Sequence, residues 1–139
     1  MKRTIFVSFL VAVFVALLFA GSPLSAAEKE VKIGVLYPLS GAQATIGRDL
    51  QTAAELMAEI INSGNAAVDI PMAKWKGSPG LGNAKLTLVF YDHRGEPDRG
   101  ADLAKKAILD DKVAGLMGAY QSSVTKTVSA VAERYGVPM

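Results

Sequence analysis

Cysteine is absent from all 139 residues. That excludes a disulfide framework and a thiolate metal site, whichever redox compartment the chain occupies. It also excludes a lipoprotein-type export signal, which needs a cysteine at the cleavage point. Histidine is nearly as scarce. His93 stands alone, so neither a histidine-rich metal cluster nor a pair of histidine bases can form. No block of lysine or arginine occurs, which argues against nucleic acid as a partner. Catalytic signatures are missing too. Ser122 has no Gly-x-Ser-x-Gly turn around it. The loop after the first strand carries neither Gly-x-Gly-x-x-Gly nor Gly-x-x-x-x-Gly-Lys-Ser/Thr, so phosphate and dinucleotide binding lack support. The expectation is a protein with no catalytic residue, no metal and no cofactor.

What is present begins with three joined segments at the amino end. Met1-Lys2-Arg3 is basic, residues 5–20 are apolar except for Ser8, and Ser25-Ala26-Ala27 supplies small side chains. This is the order of a cleavable secretory signal, with cleavage expected after Ala27. The apolar run falls short of the roughly 20 residues that span a bilayer. Loss of Lys2 and Arg3 turns the formal +2 of the whole chain into 13 bases against 13 acids. The expected product is exported, soluble and formally neutral, with residues 28–139 making one partial domain.

Strand and helix patterns then alternate. Residues 31–37, 85–91 and 113–117 read as strands, the first apolar enough to be buried on both faces. Residues 44–62 place Leu50, Ala53, Ala54, Met57, Ile60 and Ile61 on one helical face. Pro97 suits the first turn of a second helix that runs to about Asp110. A third helix over 124–135 aligns Val124, Val128, Val131 and Tyr135, with Gly136 closing it and Pro138 just beyond. Residues 66–83, rich in glycine and proline, read as a long surface loop that Trp75 pins down. Asp110-Asp111 reads as a solvated turn.

The order β-α-β-α-β-α implies an α/β fold, a partial doubly wound parallel sheet with right-handed crossovers. Ligands of such sheets bind outside the carboxyl ends of the strands. The loops there are 38–45, 92–96 and 118–123. His93 is expected to be an exposed loop residue, because neighbours along a strand point to opposite faces. Ser122 and Ser123 stand where the third helix begins. A serine there can cap the helix. The free N–H groups and the positive dipole end of the same turn suit an anion such as a carboxylate. Ser40, Tyr120 and Gln121 complete a rim of small polar groups, one ring and one amide, suited to a small zwitterion or amide.

Several segments resemble one family. Val31-Lys32-Ile33-Gly34-Val35-Leu36-Tyr37-Pro38-Leu39-Ser40-Gly41, Tyr91-Asp92 followed by Pro97, Gly118-Ala119-Tyr120-Gln121-Ser122-Ser123-Val124-Thr125, and Ala130-Val131-Ala132-Glu133-Arg134-Tyr135-Gly136-Val137-Pro138 are similar, in this order, to the periplasmic substrate-binding proteins of branched-chain amino-acid ABC transporters, the leucine-isoleucine-valine-binding type. The resemblance implies two α/β lobes with ligand between them, and delivery to a membrane permease by a monomeric periplasmic protein. This chain would be the first part of lobe one. The resemblance also implies that Ser122 bonds the ligand carboxylate. Ile46 stands where the family places an aromatic near the ligand, a departure that bears on which ligand is taken. The candidate ligand-binding residues are thus Ser122, Ser123, Gln121, Tyr120, Ser40 and Ile46. The ammonium-binding acid and the second lobe would lie beyond Met139. The alternatives are a ligand-sensing receptor domain of the same fold, a non-binding truncated fragment and, with least support, an enzyme.

Overall fold

The computed structural model describes residues 29–64 and 67–139; the secretory signal read in residues 1–27 lies outside them. Three parallel strands, β1 (Glu30–Tyr37), β2 (Lys85–Asp92) and β3 (Gly115–Gly118), lie in the order β2-β1-β3. Their registers pair Ile33 with both Leu88 and Gly115, and Leu36 with both Tyr91 and Gly118. Helices α1 (Ala44–Ser63), α2 (Pro97–Leu109) and α3 (Ser122–Tyr135) follow the strands in turn.

This order positions everything else. The chain crosses from β1 to β2 in one direction and from β2 to β3 in the other, passing over β1. Right-handed crossovers in opposite directions put α1 on one face and α2 on the other. α3 then packs on α2. The apolar core lies on the α2–α3 face, where Leu36, Tyr91 and Leu116 of the sheet meet Ala104, Ala107 and Ile108 of α2 and Val124, Val128 and Val131 of α3. Val124 and Val128 have no exposed surface; such burial stabilises by about 1.5–3 kcal/mol per side chain. The two helices approach closely because Gly100 faces Val124. A Cβ at Gly100 would lie 2.5 Å from Val124 Cγ1.

Side chains finish the edges and ends. Asn62 of α1 covers the outer edge of β2: its Nδ2 donates to the Leu86 carbonyl and its Oδ1 accepts the Leu86 N–H, both at 2.7 Å. These bonds occupy backbone groups that would otherwise invite another strand. At the other edge, Leu116 N–H donates to the Pro138 carbonyl at 2.8 Å, so the chain after α3 returns beside β3. Gly136, left-handed at φ 65°, donates to the Glu133 carbonyl, and Val137 donates to that of Ala132. This is the Schellman ending that its sequence position predicts.

Some expectations change. The third strand begins two residues later than its apolar run, because residues 113 and 114 serve as a turn bonded to the Ala107 and Lys32 carbonyls. The segment expected to be a long surface loop over 66–83 holds two short 3-10 helices, Pro71–Lys74 and Pro79–Leu81, and an antiparallel bridge between Ser78 and Ala84. Each helix starts at a proline whose fixed φ suits a first turn. Trp75 is 52 % exposed and borders an apolar cavity of about 230 Å³ with Val31, Ile33, Ile61, Met72 and Leu86, near the amino ends of β1 and β2. Asp111 is more than solvated. It accepts the Tyr91 hydroxyl and the Lys106 ammonium, both at 2.6 Å. The Tyr91 hydroxyl is pushed well above its ordinary range, first by burial and then by Asp111.

Candidate ligand-binding rim

The exits of the three strands form one rim, and side chains tie them together in pairs. The first tie joins the exits of β1 and β2. Asp92, last residue of β2, accepts the Leu39 N–H at 2.9 Å and the Ser40 N–H at 3.2 Å on Oδ1, and the Ser40 hydroxyl at 2.5 Å on Oδ2. Arg94 N–H adds a fourth bond to Oδ1 at 3.0 Å. Burial would raise this carboxyl. The bonds from Ser40, Arg94 and Leu39 outweigh that effect and hold it below its ordinary value.

The second tie joins the exits of β2 and β3. His93 is fully buried, contrary to the exposed loop position expected from the sequence. Alternation does turn it away from Asp92. The face it turns to, however, is covered by the backbone of the β3 exit. Its Nε2 bonds the Ala119 carbonyl at 2.9 Å, and its Nδ1 accepts the Gly95 N–H at 3.0 Å. Burial pushes the ring below its ordinary range, against the opposing pull of the Ala119 carbonyl and Asp92.

The third tie joins the exits of β1 and β3. The Gln121 side-chain amide donates to the Gln43 side-chain oxygen. It packs so tightly on Gly95 that a Cβ there would meet Gln121 Nε2 at 2.9 Å. Gln121 Oε1 is buried and has no partner among the described residues. An acceptor in that condition costs about 1–3 kcal/mol and marks a place where a donor would be welcome.

The β3 exit reaches this geometry through two residues. Gly118 has φ 128°, and a Cβ on it would lie 2.1 Å from the Leu36 carbonyl oxygen. No larger residue fits there. Tyr120, at φ 72°, centres a tight turn closed by Gln121 N–H donating to the Ala119 carbonyl at 3.0 Å. The turn delivers the chain directly into α3.

The start of α3 corrects the capping expectation. Gln121, extended at φ −76° and ψ 131°, is the N-cap residue, and no side chain caps the helix. Ser122 and Ser123 are its first two helical residues, both exposed. The first intrahelical bond runs from Thr125 N–H to the Gln121 carbonyl at 2.9 Å. The amides of Ser122, Ser123 and Val124 and the two serine hydroxyls therefore have no partner among the described residues. Donors of this kind at a positive helix end suit a carboxylate.

The other candidates fall around this feature. Tyr120 is 49 % exposed and directly precedes the donors. Ser40 is half-buried with its hydroxyl committed to Asp92. Ile46 lies in the first turn of α1 and is 41 % exposed. Among the described residues no group of three or more His, Asp or Glu could hold a metal ion. Sequence reading missed Asp92 and Gln43 as the partners that lock the rim. The cue available for Asp92 was an acid ending one strand beside a loop with free N–H groups.

A sequence profile described as "Periplasmic binding protein" matches residues 30–139. The chain belongs to that family. Among periplasmic binding proteins, it is 31 % identical over 115 residues to the Leu/Ile/Val-binding protein homolog 3 of Brucella melitensis, covering 83 % of this chain and 27 % of the relative. It is 32 % identical over 129 residues to homolog 7 of Brucella suis, covering 93 % and 28 %. The fold matches the branched-chain amino-acid transporter substrate-binding protein LivJ of Streptococcus pneumoniae, solved with isoleucine, at a TM-score of 0.65 and 26 % identity over 79 % of this chain and 28 % of that one. It also matches the leucine-binding protein LivK of Thermotoga maritima at 0.61 and 25 %, over 78 % and 26 %. The chain thus spans little more than a quarter of the length of these relatives.

Proposed function

We propose that this chain forms one wall of the ligand cleft in the solute-binding component of an ABC uptake system for amino acids or amides, exported to the periplasm as a monomer and passing its ligand to a membrane permease. The observation that carries this reading is the start of α3. The free amides and hydroxyls of the exposed Ser122 and Ser123 stand on a rim locked from three sides. Ser122 is the residue we assign to the ligand carboxylate, with Ser123 beside it and Tyr120 offering a ring to an apolar part. Ser40 serves by holding its loop to Asp92, and Gln121 by holding the β3 exit to Gln43. Ile46 borders the wall where an aromatic would narrow it. A locked rim raises affinity, because little ordering remains to be done when ligand arrives.

A thermal-shift panel of amino acids and amides on the two-lobe receptor that bears this wall tests the reading. A ligand at a hundred times its Kd adds about 2.7 kcal/mol, so at least one branched-chain amino acid or amide should raise the melting temperature by several degrees. No shift with any member would refute the assignment.

A further inference from the structure

His93 is the titratable side chain with no exposed surface among the described residues, and ligand contact as proposed makes no use of it. Its two bonds fix its chemical form. Nδ1 accepts from Gly95, so it carries a lone pair; the ring hydrogen is on Nε2 and is donated to Ala119. That same Ala119 carbonyl closes the turn around Tyr120 by accepting from Gln121. The ring therefore holds the acceptor that shapes the three residues preceding Ser122. An imidazolium has N–H at both nitrogens. It would set one N–H against the Gly95 N–H, and burial leaves it no water to turn toward.

The charged groups near the ring offer little rescue. On its own loop these are Asp92, Arg94 and Glu96, and α2 adds Arg99, whose Nε donates to the Asp92 carbonyl at 2.8 Å. Asp92 is already filled by Leu39, Ser40 and Arg94. The β1 exit over 38–47 and the β3 exit over 118–125 carry no charged side chain; Tyr120 lies within the second, Tyr37 precedes the first, and Arg48 and Lys126 directly follow them.

We propose that His93 is a pH-dependent positioning residue: its neutral ring accepts the Gly95 N–H while donating to Ala119, and so holds the β2 and β3 exits in the shape that presents Ser122 and Ser123 to ligand; protonation turns Nδ1 into a donor, breaks the Gly95 bond and shifts the Gly95 backbone on which Gln121 packs. The inference rests on the α3 wall being the ligand contact, but its test needs no ligand. Nitrogen-edited NMR of the chain, titrated from pH 8 to pH 5, reads the ring nitrogens and the backbone amides together. The expected result is a neutral ring with hydrogen on Nε2 that persists below the ordinary histidine range. When it protonates, the Gly95, Gln121, Ser122 and Ser123 amides shift in the same step, while Ala104 and Ile108 in α2 stay still. His93→Gln, which keeps a donor for Ala119 but cannot titrate, should abolish that step. If this variant does not fold, the wild-type titration decides alone. Hydrogen on Nδ1, rim amides that ignore the ring, movement of the α2 amides in the same step, or an unchanged step in His93→Gln would each overturn the proposal. Such a failure would leave the carboxylate reading of Ser122 standing, since that is measured by ligand binding.

Discussion

The Ser40 hydroxyl donates to Asp92 Oδ2 at 2.5 Å across 52 residues of sequence, and so fastens the exits of two neighbouring strands. Asp92→Asn removes the charge: its carbonyl oxygen can still take the Leu39, Ser40 and Arg94 N–H groups, but as a neutral acceptor, and its amide nitrogen replaces the oxygen that accepts the Ser40 hydroxyl. Hydrogen bonds to a charged group contribute about 1.5–3 kcal/mol, so a loss of about 2 kcal/mol is expected. Urea unfolding should show it as a lower midpoint at unchanged slope.

The same carboxylate sets a pH dependence. Its value in the fold lies below the ordinary 3.8, so the unfolded chain binds the proton more readily. Its contribution is present above about pH 4 and fades as pH falls through the depressed value. Stability curves of the wild type and Asp92→Asn should therefore converge as the pH is lowered below 4. Curves that stay parallel down to pH 2 would remove Asp92 as the cause.

Gly100 and Val124 should behave as a coupled pair. Gly100→Ala puts a methyl 2.5 Å from Val124 Cγ1, and overpacking of this kind costs about 1–3 kcal/mol. Val124→Ala opens the space while leaving a cavity of its own. In the double variant the two losses should sum to less than their separate values by more than about 0.5 kcal/mol. Simple additivity in a thermal or urea cycle would show that the helices part instead of clashing.

Gly118→Ala tests how the β3 exit is built. The new Cβ would fall 2.1 Å from the Leu36 carbonyl oxygen at a φ of 128°. Backbone cannot yield as a side-chain tip can, so a loss above about 2 kcal/mol is expected. A melting temperature within a degree of wild type would mean that the turn adopts another shape.

The fold could be read from sequence because its signals are local and repeat. Val124, Val128 and Val131 mark a helix face by spacing alone, and Gly136 closes that helix by its backbone freedom. The rim could be read as a place, since strand order and crossover hand put three loops together. Its internal wiring could not. Asp92 meets Ser40 and Gln121 meets Gln43 across 52 and 78 residues, and no local pattern encodes such meetings. His93 shows the limit most plainly. Alternation carried one residue past β2 suggests which way it points, but what covers it is the backbone at Ala119, 26 residues later. Ser122 was placed at the right turn with the wrong local role. A capping serine and a first-turn serine differ only in the φ and ψ of their neighbour, here Gln121.

The central claim is that the free donors at the start of α3 take a ligand carboxylate. Calorimetric affinity of the two-lobe receptor for the ligand that stabilises it, compared between wild type and Ser122→Ala, measures this most directly. The predicted result is a loss of about 1.5–3 kcal/mol, the range for a hydrogen bond to a charged group. An unchanged affinity would contradict the account and leave Ser122 as an ordinary first-turn residue.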